Sequence, residues 1–147
     1  MVCEAPHFEV SFMYPNLLNG EIFMSNSIWL DGVMGVVVGD ALGCPVQGYS
    51  RNQIRNNPVT KMEGYGSFNL PEGSWTDDSS LTLALLSSLK ELSRFDLKDI
   101  ADRFVDWLLV GKYTPYGFSY DIGQSCMKAI RRYNKSGDPY TCGTEME

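Results

Sequence analysis

The pattern of apolar positions along the chain predicts helices separated by loops that contain Gly and Pro. Residues 27–43 are almost continuously apolar and should form one helix, which Pro45 ends because proline cannot continue it. Residues 76–92 form the second long apolar segment. Because this segment is apolar around most of its circumference, we predict that it forms a buried, central helix.

Local signals at the ends of segments predict a further helix and a loop. Ser50 and Gln53 match a capping box, which would open a short helix that stops before Pro58. Residues 61–74 contain several glycines and a proline, and this composition is typical of a loop. The loop would therefore lead directly into the helix predicted at 76–92.

Two more helices are predicted in the last third of the chain. Asp96 is placed to cap a helix over residues 97–109, with Gly111 as its stop. Asp121 is placed to cap a helix over residues 122–133. Apolar residues recur at helical spacing in the first of these segments, so it should pack one face against the core.

The fold class predicted from these elements is all-α. The only candidate for a strand is the alternating segment 8–12. Residues 1–27 mix Pro, Asn and Gly with isolated apolar residues, and we interpret them as an N-terminal extension. Residues 28–147 would then belong to a single domain.

Composition and charge narrow the function classes. The chain has 147 residues, of which 44% are hydrophobic, and this is enough for one globular domain with a sizeable core. Its net charge of -6 is carried by scattered acidic residues. This pattern argues against nucleic acid and against a basic membrane-binding surface. The longest uninterrupted apolar run, 33–38, is too short to span a bilayer.

The cysteines and the histidine limit the chemistry further. The four cysteines are far apart and lack the spacing of a zinc site or of a disulfide scaffold, so reduced thiols are expected. Glu4 and Glu9 stand where a signal peptide would be positive, which favours a cytoplasmic protein. His7 is the only histidine, which argues against a catalytic triad.

Four glycines recur three or four residues apart in the first helix, at Gly32, Gly35, Gly39 and Gly43. Each costs a helix about 1 kcal/mol relative to alanine. The stripe would be explained by close approach of another backbone or by ligand access, and a Gly-rich core helix formed by chance is the alternative. The spacing does not match a dinucleotide-binding loop.

The most informative cluster is Thr76-Asp77-Asp78, at the entrance to the helix predicted at 76–92. One interpretation is structural, because Thr is a good N-cap and first-turn carboxylates interact favourably with the helix dipole. The other is a binding site, because two carboxylates and a hydroxyl exceed what a cap needs. Their repulsion favours a raised pKa or a bound cation, and oxygen ligands suit Mg²⁺, Mn²⁺ or Ca²⁺.

Three stretches taken together resemble the ADP-ribosylglycohydrolase family, which includes the dinitrogenase-reductase-activating glycohydrolases. They are Gly-Asp-Ala-Leu-Gly at 39–43, Gly-Ser-Trp-Thr-Asp-Asp-Ser at 73–79 and Tyr-Asp-Ile-Gly at 120–123. The resemblance implies an all-α, roughly orthogonal multi-helical fold. It also implies two Mg²⁺ or Mn²⁺ ions and hydrolysis of the glycosidic bond between ADP-ribose and a protein side chain or small molecule.

The resemblance also assigns roles to individual residues. Thr76, Asp77 and Asp78 fall on the family's first metal-ligand cluster. Asp121 and Gly123 fall on the loop that contacts the ribose and the leaving group, where Asp121 could meet a cationic group such as guanidinium. The implied substrate is therefore an ADP-ribosylated protein or a small molecule that contains ADP-ribose.

The chain departs from the family pattern in two respects. Gln47 occupies a catalytic position where the family commonly has glutamate, and an amide can neither act as a base nor bind a cation as strongly. The family's second ligand cluster, an Asp-x-Asp followed by Thr or Ser near the C-terminus, is absent. We therefore expect a truncated domain that corresponds to the N-terminal half, incomplete and weakly active or inactive.

Three interpretations of function remain at the level of sequence. Gln47 favours a non-catalytic relative that binds ADP-ribose or has a structural, crystallin-like role. The intact Thr76-Asp77-Asp78 cluster favours the enzyme. A helical interaction domain without a small-molecule site is a third possibility.

Overall fold

The computed structural model describes residues 28–143, and this part of the chain is helical without strands. The elements are α1 (Ile28–Gly43), a 3-10 turn (Cys44–Val46), α2 (Arg51–Asn56), α3 (Asp77–Leu92), α4 (Leu97–Val110) and α5 (Gln124–Ser136). The all-α prediction is confirmed. The candidate strand at 8–12 and His7 lie outside the described residues.

Two of the predicted capping sites are present as expected. Ser50 and Gln53 form a reciprocal capping box at the start of α2, with Ser50 N donating to Gln53 Oε1 at 2.8 Å. Asp96 caps α4 by accepting from the backbone N–H of Asp99 at 3.1 Å. Gly111 ends α4 in a left-handed conformation with φ of 68°, and a Cβ there would lie 2.2 Å from the carbonyl carbon of Gly117. Glycine is therefore required at this position for both reasons.

Helix α3 is central, since it contacts both α1 and α4, while α4 also contacts α5. Its buried residues are small: Ser79, Ser80, Ala84 and Ser88. The predicted central position is confirmed, but the helix is not buried all round, because its leucines at 81, 83, 85, 86 and 89 are only half-buried. A helix that is apolar all round has no preferred inner face, and here the small side chains face its neighbours, which lets them pack closely.

The packing of α4 and α5 is anchored by large side chains. Trp107 on α4 is completely buried, and Ile100 on α4 and Ile130 on α5 are also buried. Tyr133 on α5 is buried as well and donates a hydrogen bond to Asp102 Oδ1 on α4 at 2.6 Å. The two helices are therefore joined by apolar packing and by polar contacts of the Tyr133 hydroxyl with Asp102 and with the carbonyl oxygen of Lys98.

Arg103 is a buried cation that connects three elements. It donates to Asp99 on its own helix at 2.6 Å and to Glu91 on α3 at 2.7 Å. It also donates to the Tyr113 hydroxyl, in the loop after α4, at 3.0 Å. The hydrogen bonds that Arg103 donates to Glu91 and then to Asp99 raise the pKa of the guanidinium. The guanidinium thus ties the end of α3 to the loop that follows α4.

Replacement of Arg103 by methionine should destabilise the protein. The side chain of Arg103 is only 10% exposed, and loss of its charge-assisted hydrogen bonds is expected to lower the free energy of unfolding by about 2–3 kcal/mol. Urea denaturation measures this difference. The matched control is Lys98→Met, which removes an exposed i,i+4 pair with Asp102 and should have little effect. Equal effects of the two substitutions would contradict the assignment.

Helix α1 is apolar but poorly covered by the described part of the chain. Within it only Ala41 is buried, and Ile28 and Trp29 are 77% and 83% exposed. The stretch Ile28–Val46 is long and apolar enough to cross a membrane by length and composition, although core helices of soluble proteins pass the same test. The apolar part of this helix is therefore longer than the uninterrupted run 33–38 indicates. That the protein has no membrane partner remains a prediction.

Candidate functional site

Asp40 on α1 performs the capping role that the sequence suggested for Thr76. Thr76 is the N-cap of α3 by position, but its side chain makes no capping hydrogen bond. Asp40 Oδ2 instead accepts from the backbone N–H groups of Thr76 at 2.9 Å and Ser79 at 3.0 Å, and from Ser79 Oγ at 2.5 Å. Asp40 Oδ1 accepts from Thr76 Oγ1 at 2.7 Å. A carboxylate 36 residues away thus satisfies the N–H group of the N-cap residue and one free N–H group of the first turn.

This role of Asp40 was not identified from the sequence. The residue belongs to the Gly-Asp-Ala-Leu-Gly stretch, but nothing in the local pattern pairs it with α3. A polar residue on an otherwise apolar helix was the available signal, because a half-buried carboxylate requires hydrogen-bond donors.

The two carboxylates that follow Thr76 differ in environment. Asp77 is half-buried, and Asp78 is exposed. Burial, then the charge of Asp121 and that of Asp78, raises the pKa of Asp77. The ionised form of Asp77 is therefore disfavoured in the absence of a compensating positive charge.

An open cleft of about 430 Å³ lies between α1 and the start of α3. Its polar lining consists of Asp40, Gln47, Thr76, Asp78 and Thr82. None of the described residues that line it is Lys, Arg or His. The cleft is therefore acidic, and of the predicted metal ligands Thr76 and Asp78 line it whereas Asp77 does not.

The glycine stripe of α1 does not contact another backbone within residues 28–143. A Cβ placed at Gly32, Gly35, Gly39 or Gly43 would meet nothing within 4 Å. The close-packing explanation is therefore wrong for the described part of the chain. Gly39 and Gly43 instead line the cleft, which favours the explanation by ligand access.

Gln47 and Asp121 meet at the exit of the 3-10 turn. Gln47 Nε2 donates to Asp121 Oδ1 at 2.6 Å across 74 residues of sequence. The charge of Asp121 also raises the pKa of Asp77 and of the Cys44 thiol, so Asp121 is close enough to both to interact electrostatically. The structure thus brings Gln47, Asp121 and the start of α3 together.

Asp121 does not cap α5, contrary to the sequence prediction. Helix α5 begins at Gln124, its N-cap is Gly123, and no side chain caps it. Asp121 lies in a left-handed conformation with φ of 54°, and its carboxylate is used by Gln47 instead. The loop interpretation of residues 120–123 is supported, with Gly123 exposed at the helix entrance.

A chain of aromatic side chains fastens this loop to the residues before α3. Ring centroids of Phe68 and Tyr120 lie 5.7 Å apart, as do those of Tyr120 and Phe118. The Tyr120 hydroxyl donates to the carbonyl oxygen of Trp75, and Trp75 Nε1 donates to the carbonyl oxygen of Tyr113 at 3.1 Å. The sequence predicted only a loop here, although its density of aromatic residues was a signal of packing.

The oxygen atoms of the three predicted metal ligands suit a hard cation better than zinc. Thr76, Asp77 and Asp78 offer oxygen atoms, which Mg²⁺ and Mn²⁺ prefer. Burial raises the pKa of the Cys44 thiol, which disfavours the thiolate that zinc would need. Within residues 28–143, no three carboxylate, thiol or imidazole side chains are grouped closely enough to hold a metal ion. The described residues therefore do not form a complete metal site by themselves.

Comparison with known proteins relates this site to a family. The family model for ADP-ribosylglycohydrolase matches residues 29–147. The chain is 32% identical over 115 residues to the ADP-ribosylarginine hydrolase Tri1 of Serratia proteamaculans. It is 36% identical over 119 residues to the ADP-ribosyl-[dinitrogen reductase] glycohydrolase of Rhodospirillum rubrum. Each match covers 78% of the chain.

A solved structure shows the same fold. A chain of an ADP-ribosylglycohydrolase-related protein complex is 39% identical, with a TM-score of 0.61 over 79% of this chain and 35% of that one. The present chain covers 31% of the Serratia protein and 38% of the Rhodospirillum protein, or about a third of the length of these relatives. Sequence and structure agree, and the chain belongs to the ADP-ribosylglycohydrolase family.

Proposed function

We propose that the cleft is part of a metal-dependent site that hydrolyses the bond between ADP-ribose and a modified protein side chain. The observation that carries the proposal is the gathering of Asp40, Asp78 and Thr76 around a cleft whose described lining has no basic side chain. Asp77 and Asp121 add negative charge beside it. Such a site favours cations, both a bound metal ion and a cationic leaving group.

The metal ligands in this proposal are Thr76, Asp77 and Asp78. The expected cofactor is a pair of Mg²⁺ or Mn²⁺ ions, as the resemblance to the family implies. When bound, such ions can orient the ribose hydroxyls and a water molecule and stabilise charge near the anomeric carbon. In the net reaction, the water oxygen bonds to the anomeric carbon and the bond to the leaving nitrogen breaks. One proton from the water passes to that nitrogen.

Asp121 would bind the leaving group. The names of the relatives indicate ADP-ribosylated arginine and ADP-ribosylated dinitrogen reductase as substrates of those proteins. A guanidinium is planar and cationic and pairs well with a carboxylate. Gln47 donates to one carboxylate oxygen of Asp121, Oδ1. The contact with the guanidinium is therefore assigned to the other oxygen, Oδ2. We propose that this carboxylate recognises arginine modified by ADP-ribose, with Gly123 beside it in the substrate loop.

The 147-residue chain by itself should be weakly active. Three ligand residues from one helix start cannot complete six-coordinate shells around two cations. Gln47 also cannot act as a base. We infer that most of the catalytic rate requires ligands beyond those that the described residues provide.

The proposal is tested with the purified 147-residue chain, Mn²⁺ and ADP-ribosylated arginine. Calorimetry measures binding of Mn²⁺ and of ADP-ribose, and release of free ADP-ribose measures turnover. We expect Mn²⁺ to bind, ADP-ribose to bind more tightly in its presence, and turnover to be slow and abolished by EDTA. Absence of both metal and ADP-ribose binding would contradict the proposal and favour a helical interaction domain.

A second candidate function is supported by Gln47. The side-chain amide of Gln47 donates a hydrogen bond to Asp121 and carries no charge. A glutamate at this position would provide a further anionic ligand. The neutral side chain therefore suits a non-catalytic relative that binds ADP-ribose or has a crystallin-like role. This candidate predicts ADP-ribose binding without turnover at any Mn²⁺ concentration. Slow but EDTA-sensitive turnover distinguishes the enzyme from it.

A further inference from the structure

The distances from Thr76 Oγ1 to two neighbouring carboxylates show where the hydrogen of the Thr76 hydroxyl points. The Thr76 hydroxyl lies 2.7 Å from Asp40 Oδ1 and 3.4 Å from Asp77 Oδ1. Only the first distance is within the normal range for an O–H···O hydrogen bond. The Thr76 hydrogen is therefore directed at Asp40.

The other oxygen of Asp40 is held by three donors, which are the backbone N–H groups of Thr76 and Ser79 and the Ser79 hydroxyl. These donors prevent the carboxylate from rotating without loss of hydrogen bonds. Thr76 is only 3% exposed, and it is one of the residues that line the cleft.

We propose that Asp40 is a positioning residue that takes the hydrogen of the Thr76 hydroxyl and so leaves the lone pairs of Thr76 Oγ1 for a cation. This inference rests on the proposed function, since it concerns one of the ligands assigned there. A hydroxyl binds a cation through its oxygen lone pairs, and a hydroxyl whose hydrogen faced the cleft would be a poor ligand. Asp40 itself need not touch the ion.

The substitution Asp40→Asn tests this idea with almost no change in shape. Because the two backbone N–H groups require an acceptor, the amide oxygen must face them and the amide nitrogen must face Thr76 Oγ1. The nitrogen then donates to the hydroxyl oxygen, and the hydroxyl hydrogen turns away from residue 40. We expect Mn²⁺ affinity, measured by calorimetry, to fall by roughly ten- to a hundredfold.

Loss of the Asp40 charge could weaken metal binding without any effect on Thr76, and a double-mutant cycle separates the two causes. Thr76→Val removes the hydroxyl while it keeps the side-chain shape. In that background, Asp40→Asn should cause little further loss of Mn²⁺ affinity. A full additional loss in the Thr76→Val background would show an effect of charge alone and would overturn the proposal.

Ser79→Ala is the structural control. It removes one hydrogen bond to Asp40 but leaves the contact between Asp40 and Thr76 in place. It should lower thermal stability, and because the two backbone N–H groups still hold Asp40, Mn²⁺ affinity should fall far less than in Asp40→Asn. Equal Mn²⁺ affinities of the parent chain and Asp40→Asn would overturn this inference alone. If the parent chain binds no Mn²⁺, both this inference and the metal site of the proposed function are overturned.

Discussion

The substitution Asp77→Asn is expected to weaken Mn²⁺ binding by roughly a hundredfold or more, since it removes the charge of a proposed ligand. In metal-free buffer at neutral pH it should nevertheless raise the melting temperature. The physical reason is that burial and the charges of Asp121 and Asp78 raise the pKa of Asp77, so its ionised form opposes folding. Calorimetric titration measures the first effect and thermal denaturation in EDTA measures the second.

The sign of the pH dependence follows from the raised pKa. A carboxyl group with a higher pKa in the folded state stabilises the protein when protonated. This contribution is lost as the pH rises above the ordinary value of 3.8 and through the folded pKa. The melting temperatures of the parent chain and Asp77→Asn should therefore converge in acid and separate at neutral pH.

Asp31→Asn is the matched control for Asp77→Asn. Asp31 also lies in the first turn of a helix, but it is exposed and lies on α1, nine residues before Asp40. The substitution Asp31→Asn removes the same charge as Asp77→Asn and should leave Mn²⁺ affinity unchanged. Higher metal-free stability of the parent chain than of Asp77→Asn at neutral pH would contradict the assigned environment of Asp77.

Gln47→Glu is expected to have opposite effects in the absence and presence of metal. Without metal it places two carboxylates where Gln47 Nε2 now donates to Asp121 at 2.6 Å, so the melting temperature should fall. With Mn²⁺ the added charge should raise the affinity by roughly ten- to a hundredfold, or about 1.4–2.8 kcal/mol. Thermal denaturation in EDTA and in Mn²⁺ measures both effects, and turnover should increase if the cleft is catalytic.

Gln124→Glu provides the same change of charge outside the contact with Asp121. Gln124 is exposed at the start of α5, where a negative charge is favourable. In EDTA, the melting temperature of Gln124→Glu should equal or slightly exceed that of the parent chain. Its Mn²⁺ affinity should be close to that of the parent chain. If Mn²⁺ stabilises Gln47→Glu no more than the parent chain, Gln47 is not near the bound ion.

The sequence predicted helix ends accurately where the cap and the helix are close in the chain. The box formed by Ser50 and Gln53, the Asp96 cap and the Gly111 stop were all confirmed. Each depends on residues within a single turn, so the information is local. The Asp121 cap was wrong because its carboxylate bonds to a side chain 74 residues away, which no local pattern reveals.

The same distinction applies to the candidate site. The motifs at 39–43, 73–79 and 120–123 were sufficient to indicate the family, and the comparisons confirmed it. Their mutual geometry could not be predicted, because the contact of Asp40 with Thr76 depends on how α1 packs against α3. The ligand roles of Thr76, Asp77 and Asp78 stay predictions, as do the roles of Asp121 and Gly123.

The left-handed backbone at Asp121 has a consequence for how the proposed activity could be lost. Glycine and asparagine occupy this conformation more readily than aspartate does, so either would suit the backbone at least as well. Both are one nucleotide change away from either aspartate codon. Asparagine at this codon would remove the carboxylate yet keep an amide oxygen that can accept from Gln47. Under the proposed function, a single mutation could therefore turn an enzyme into a binding protein with little loss of stability.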